Sequence, residues 1–218
     1  MTARSTLRHF QTNRRLPCSV TSCTRHRAGH SRYCTVCRRK VSYWGHEAGR
    51  CIRKQVLAPY RQEVSKYLDQ YASSPQVSEA VKAMSRLLQG RLGLDPMTLT
   101  QLTRISREGV DGREALEIVG SVMLYSHRHP KALVDDARLT QHVGFSLLHS
   151  RPLPIRVKYG PRGKEYRQSM PASTIPRREV GRYVRDVLGV FLRNLFDRMD
   201  QDHSKLTETK LILSKPLA

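Results

Sequence analysis

Apolar residues recur at steps of three and four along two stretches of the chain, 53–71 and 77–92. The first stretch carries them at Val56, Leu57, Tyr60, Val64, Tyr67, Leu68 and Tyr71, and the second at Val77, Ala80, Val81, Met84, Leu87, Leu88 and Leu92. This spacing lines up one apolar stripe along a helix. Because Ser73-Ser74-Pro75 separates the two stretches, the pattern predicts two successive amphipathic helices.

Helical spacing continues less regularly through the middle of the chain and returns in its longest form near the end. It predicts one helix over 97–107, a second that carries Leu116, Val119, Val122 and Met123 and ends at about Tyr125, and a third over 132–148. The last helix, over 177–200, has the widest apolar stripe. We therefore expect that helix to lie at the centre of the core.

The pattern changes to alternation after the prolines at 152 and 154. Apolar and basic residues alternate over 155–159, Gly160-Pro161-Arg162-Gly163 is typical of a turn, and 164–168 fits a return strand. The sequence thus predicts a mainly α fold. It consists of a cysteine-rich N-terminal knob and a helical body with one β-hairpin over 155–168.

Charge adds a class of partner to this picture. The 218 residues carry 39 Lys and Arg against 18 Asp and Glu, which gives a net charge of +21 and a pI near 10.5. The excess is densest over residues 1–60, where Glu47 is the sole acid, and over 151–183. Such an excess favours a polyanionic partner, and we expect DNA, with RNA as the alternative.

Neither a membrane partner nor a secretory route is indicated. No run of 18 apolar residues occurs, and the basic N-terminus lacks the apolar segment of a signal peptide. We expect a cytoplasmic protein, associated with the nucleoid if the source is bacterial.

Four cysteines form the one motif that points to specific chemistry. Cys18, Cys23, Cys34 and Cys37 follow the order C-x4-C-x10-C-x2-C. Two pairs at this separation can close a tetrahedral Zn²⁺ site, and four protein ligands are typical of a structural rather than a catalytic zinc. His26 or His30 could replace one thiolate, and disulfides or a redox pair at Cys34 and Cys37 are the alternatives to a metal.

The stretch from Tyr33 to Lys40, followed by Trp44-Gly45-His46-Glu47, resembles small zinc modules of phage and mobile-element proteins. Some of those modules accompany HNH-type homing endonucleases. The resemblance covers residues 18–47 and implies a DNA-associated zinc knob with a basic helix after the last two cysteines. The ββα unit that carries the HNH active site is not found here, so the resemblance implies no nuclease site.

Basic residues in the knob and the hairpin are the candidates for phosphate contacts, since Arg matches phosphate oxygens in bidentate geometry. In the knob they are Arg25, Arg27, Arg32, Arg38, Arg39 and Lys40, and in the hairpin Arg156, Lys158, Arg162, Lys164 and Arg167. A basic two-stranded ribbon can enter a groove or lie along a phosphate backbone.

Taken together, these patterns predict a flexible basic arm (1–17), a zinc module (18–52) and a helical body (53–218). The expected function is non-enzymatic nucleic-acid binding within a phage or mobile-element nucleoprotein system. The alternatives are an adaptor that docks a larger nucleic-acid-bearing complex through its helical body, and a nuclease or recombinase with an unrecognised active site. The candidates for such a site are His127, His129, Asp135, Asp136 and His142, but a loop with a charged helix start explains these residues better.

Overall fold

The computed structural model describes residues 12–44, 52–90, 93–133, 135–153, 155–159, 165–169 and 173–213. Contacts divide the chain into two compact units, Met1–Cys51 and Ile52–Ala218. Most of the described residues are helical.

The first unit is built around its cysteines. It contains a helical turn over 12–15, an isolated bridge between Pro17 and His26, and helix α1 (Thr35–Trp44). Its apolar cluster consists of Cys18, Cys34 and Cys37, with Val20, Cys23 and Tyr33 against it. Six side chains are too few to hold a fold without a further constraint.

Residues 12–17, the described part of the arm expected over 1–17, are held against the rest of the first unit by hydrogen bonds. Asn13 Nδ2 donates to the carbonyl of Ser31 at 3.0 Å, and the backbone N–H of Arg27 donates to the carbonyl of Leu16 at 3.0 Å. Residues 12–17 therefore belong to the cysteine-rich unit, while residues 1–11 lie outside the described part of the chain.

The second unit begins with five helices: α2 (Lys54–Gln70), α3 (Pro75–Leu88), α4 (Pro96–Arg107), α5 (Gly112–Arg128) and α6 (Asp136–Leu148). Three of them start at an aspartate whose side chain accepts a backbone N–H: Asp95 from Met97, Asp111 from Glu114 and Asp135 from Arg138. These are N-caps, which satisfy donors that a helix start leaves unpaired.

Helix α5 occupies the centre of the body. It packs against α2, α3, α6 and the last helix, and Leu116, Val119, Val122 and Leu124 on it are fully buried. The expectation that the last helix is central is therefore wrong. Because α5 has apolar residues on more than one side, it can face several neighbours at once.

The last helical segment contains a π turn. Helix α7 (Thr174–Tyr183) continues through a π turn (Val184–Leu188) into α8 (Gly189–Leu213). Its buried residues include Val180, Val184, Leu188, Leu192 and Phe196, a strict repeat of four. Four residues of an α-helix turn about 400°, so such a stripe drifts by about 40° at each step. The wider π turn takes up this drift and keeps the stripe on the core.

Two short strands lie between α6 and α7. Strand β1 (Ile155–Tyr159) pairs antiparallel with β2 (Glu165–Ser169), and Val157 stands opposite Arg167. The expected turn over 160–163 lies outside the described residues.

Candidate metal centre and basic surfaces

The four cysteines predicted as ligands converge on one point. One sulfur from each of Cys18, Cys23, Cys34 and Cys37 lies within 4.8 Å of all the others. Sulfurs on the corners of a tetrahedron around Zn²⁺, at about 2.3 Å from the metal, would be about 3.8 Å apart. The 3.8 Å between the sulfurs of Cys23 and Cys34 matches that edge.

Backbone donors and the start of α1 favour thiolates in this cluster. The N–H of Cys34 donates to the sulfur of Cys18 at 3.3 Å, and the N–H of Cys37 donates to the sulfur of Cys34 at 3.4 Å. Cys34 directly precedes α1, so its sulfur also caps that helix. The positive end of a helix dipole stabilises a negative sulfur.

The pKa values of three thiols in this cluster differ, with those of Cys18 and Cys34 lowered and that of Cys37 raised. Burial raises the pKa of Cys34, but the N–H of Cys37 and hydrogen bonds from neighbouring thiols outweigh it, so that this pKa falls well below its ordinary value. At Cys18 the same opposition leaves the pKa lowered. Burial and the neighbouring sulfurs raise the pKa of Cys37. The lowered pKa values of Cys18 and Cys34 favour binding of a cation, because metal ligands must be deprotonated.

The donor set is consistent with Zn²⁺ and contains no histidine. His26 and His30 are exposed, and in the described part of the chain the sole group with metal-ligand geometry is the four-cysteine cluster. The Cys₃His alternative is therefore not favoured. Four sulfurs around one point fill every position of a tetrahedral ion, which leaves no open position for catalysis.

The basic residues of the module divide into exposed and internally engaged groups. Arg25, Arg32, Arg38 and Arg39 are exposed, and Lys40 is half-buried. Arg27 instead binds its own module, because its Nε donates to the carbonyl of Pro17 at 3.0 Å. Nothing in the sequence around Arg27 indicates this structural role.

Carboxylates are almost absent from this unit. Glu47 is the only acid in residues 1–51, so the exposed arginines of the module have no other internal carboxylate to pair with. The guanidinium of Arg32 lies over the ring of Tyr33, 4.8 Å from its centroid. A cation and an aromatic face are thus presented side by side.

The antiparallel register fixes which residues of the two described strands stand opposite each other. Arg156 stands opposite Gln168 and Lys158 opposite Tyr166, whereas Arg167 stands opposite Val157. Arg162 and Lys164 lie outside the described residues.

Many arginines of the helical body are engaged in ion pairs that the sequence did not reveal. Arg128 forms a two-pronged pair with Glu63 at 2.6 and 2.7 Å, and also binds Asp200 at 2.9 Å. Arg151 holds Glu114 at 2.6 Å and 2.9 Å. These partners lie on different helices or loops, so the pairs tie the body together and reduce its free positive charge.

The histidines and aspartates considered as a catalytic group are dispersed. His127 binds Asp200 at 3.1 Å, His129 binds the hydroxyl of Tyr60 at 2.6 Å, and Asp135 caps α6. His142 is buried, and burial together with the nearby Arg138 and Arg177 lowers its pKa to about 4. These contacts are structural.

Comparison with known proteins returns no relatives. No protein family, no curated protein and no solved structure matches this chain. Across the helices that are described, none combines the length and the hydrophobicity needed to cross a bilayer.

Proposed function

We propose that this protein is a non-enzymatic nucleic-acid-binding protein of a phage or mobile-element nucleoprotein system, in which Zn²⁺ holds a basic knob against phosphates. DNA is the expected ligand and RNA the alternative. The observation that carries the proposal is the four-sulfur cluster in a unit whose exposed arginines have Glu47 as their only potential carboxylate partner in that unit.

The mechanism is electrostatic capture. Arg38 and Arg39 follow Cys37 on α1, so a metal-held helix start presents them on a fixed backbone. Guanidinium groups on a rigid support lose less freedom when they bind phosphate than groups on a mobile arm. Each phosphate that is neutralised releases counterions, so affinity falls steeply as salt rises.

Charge reversal in the knob tests this proposal. Changing Arg38, Arg39 and Lys40 to Glu in the full chain should weaken binding to a labelled duplex. It should also reduce the slope of log Kd against log salt by about 3. The measurement is fluorescence anisotropy over a salt series. Loss of sequence preference with an unchanged salt slope would argue for base contacts instead.

A matched control keeps the total charge change equal. Lys66, Arg107 and Lys131 are exposed residues of the body without a carboxylate partner among the described residues. Reversing these three to Glu should affect binding much less than reversing the three in the knob. Equal losses would show that the net charge alone matters and would contradict a dedicated knob.

An adaptor role is the second candidate, and one surface favours it. A groove of about 510 Å³ runs between α3 and the segment from Val187 to Arg198, and Val187 and Val190 on its edge are 50% and 73% exposed. Apolar side chains exposed together often mark a protein contact. Changing both valines to Ser should abolish co-purification with a native partner and leave nucleic-acid binding intact if the adaptor role holds.

A further inference from the structure

Four arginines lie close together in α7 and the π turn, in three different environments. Arg177 is fully buried, and its guanidinium lies over the ring of Phe145 at 5.1 Å. Arg185 is bound by Asp186 at 2.8 Å and lies 3.9 Å from Asp136. Arg178 and Arg182 are exposed, and neither forms an ion pair within the part of the chain that the structure describes. We call these two residues the arginine pair.

The single carboxylate of α7 does not screen the arginine pair. Glu179 is directed towards the start of α4, where it accepts the backbone N–H of Asp95 at 3.2 Å and the hydroxyl of Thr98. It therefore serves to join two helices. The outer side of α7 presents two positive charges, one helical turn apart, with no acid of the same helix between them.

Helix α7 is a rigid support for these charges. A Cβ atom on Gly144 would stand 2.0 Å from the carbonyl oxygen of Arg177, and one on Gly181 would stand 2.0 Å from that of Thr140. The backbones of α6 and α7 thus approach directly at two points. Side chains that project from so closely packed a helix start from fixed Cα positions, which makes a binding geometry more precise.

The environment of α7 favours a polyanion over a lipid surface. Val180 and Val184, the apolar side of the segment, are fully buried. A helix that binds a bilayer must insert an apolar side among the lipids, and Ile175 is the one large apolar residue that α7 exposes, which is too little to form such a side. Arginines one turn apart, about 6 Å along the helix, can instead contact successive phosphates of a nucleic-acid strand.

We propose that Arg178 and Arg182 form a second phosphate-binding surface, on the helical body, that contacts the backbone of the nucleic acid. This inference rests on the proposed function and adds to it a contact that is independent of the metal module. The contact is to phosphates and not to base edges, so it contributes affinity without sequence preference.

The test compares Arg178→Ala/Arg182→Ala with wild type in the full chain. The probe is a labelled duplex of about 20 base pairs, titrated by anisotropy from about 50 to about 300 mM salt. Two lost phosphate contacts should reduce the slope of log Kd against log salt by about 2, and raise Kd at least about tenfold at low salt. The salt slope is a readout that a merely structural role would not move, and thermal unfolding checks that the fold is unchanged.

Arg185→Ala is the matched control. It removes an arginine from the same segment, but the charge of Arg185 is already paired with that of Asp186. It should change the slope by less than about 0.5. If Arg185→Ala lowers affinity as much per residue as the pair, the effect is one of net charge and the proposal is overturned.

The remaining outcomes separate this proposal from the proposed function. Suppose that wild type binds nucleic acid, that reversing Arg38, Arg39 and Lys40 to Glu abolishes binding, and that Arg178→Ala/Arg182→Ala does not weaken it. The proposal for the arginine pair alone is then overturned. If wild type shows no salt-dependent binding to duplex DNA or to RNA of the same length, both proposals fall. A third outcome is that wild type binds phosphatidylserine vesicles and that Arg178→Ala/Arg182→Ala loses this binding while its DNA binding is unchanged. That result would also overturn the proposed nucleic-acid contact, in favour of a membrane contact.

Discussion

Gly181 lies so close to the carbonyl oxygen of Thr140 that a Cβ atom at position 181 would stand 2.0 Å from it. A Cβ atom at position 144 would stand at the same distance from the carbonyl oxygen of Arg177. No side chain, not even a methyl group, fits between α6 and α7 at these points. The pair of glycines therefore sets the distance between the two helices.

Gly181→Ala should lower the free energy of unfolding of the body by at least about 2 kcal/mol, because the clash is with backbone and cannot be relieved by a rotamer change. Denaturant unfolding followed by circular dichroism measures this loss. Gly189→Ala is the control, since a Cβ there meets no atom within 4 Å. Alanine in that helical position should add up to about 1 kcal/mol. Equal effects of the two substitutions would contradict the close approach.

The body's helices could be predicted from the sequence because each keeps its apolar residues at three- and four-residue steps. The π turn could not. Val180, Val184 and Leu188 satisfy the spacing of an ordinary helix, and the drift of a strict four-residue repeat becomes important only over several turns. In the structure the π turn places three successive exposed residues, 185–187, between the buried Val184 and Leu188.

Deleting Asp186 tests whether the π turn is a one-residue insertion. The deletion would convert the buried spacing to that of a regular α-helix and leave both flanks in place, so stability should change by less than about 1 kcal/mol. Deleting Arg193, also exposed, would turn Phe196 and Met199 about 100° away from the core and should cost several kcal/mol. Comparable losses of denaturant midpoint in the two deletions would argue against this account.

The four-cysteine cluster was predictable from the sequence and the basic surfaces only in part, for a physical reason. Cysteine ligands are close in sequence, so their spacing is visible along the chain. The partners of Arg128 and Arg151 are carboxylates of distant segments, and only the fold shows that these charges are engaged. The number of basic residues in the body is therefore larger than the number of positive charges that its surface leaves unpaired. The first unit, with Glu47 as its only acid, has almost no internal partners for its arginines.

Two histidines, the buried His142 and the half-buried His149, should make the body sensitive to acid. Burial, with the nearby Arg138 and Arg177, lowers the pKa of His142 to about 4. Burial also lowers that of His149 to about 4, against the opposing effect of its hydrogen bond to the Phe145 carbonyl. In the unfolded chain both would titrate near 6.5. The unfolded state thus binds more protons between pH 6.5 and 4, so stability is complete above pH 6.5 and falls as the pH drops towards 4.

At pH 5 each histidine should account for a loss of about 2 kcal/mol relative to pH 7.5. Denaturant unfolding at a series of pH values measures this loss. The double substitution His142→Gln/His149→Gln should flatten the curve between pH 6.5 and 4, whatever it does to stability at neutral pH. A curve of unchanged steepness would assign the acid sensitivity to carboxylates instead.

Freshly purified, reduced protein should contain one Zn²⁺ per chain, and Cys34→Ser/Cys37→Ser should lose it. The apolar cluster of the first unit consists of three cysteines with Val20, Cys23 and Tyr33 against them, so its folding must depend on the metal. Elemental analysis gives the zinc content, and amide hydrogen exchange gives the structural effect. Chelation should remove protection from α1 while α5, in the other compact unit, keeps its own. Cys51→Ser is the control and should retain the metal. Full zinc content in the double Ser variant would refute a four-cysteine site, and protection of α1 that survives chelation would show that the module folds without metal.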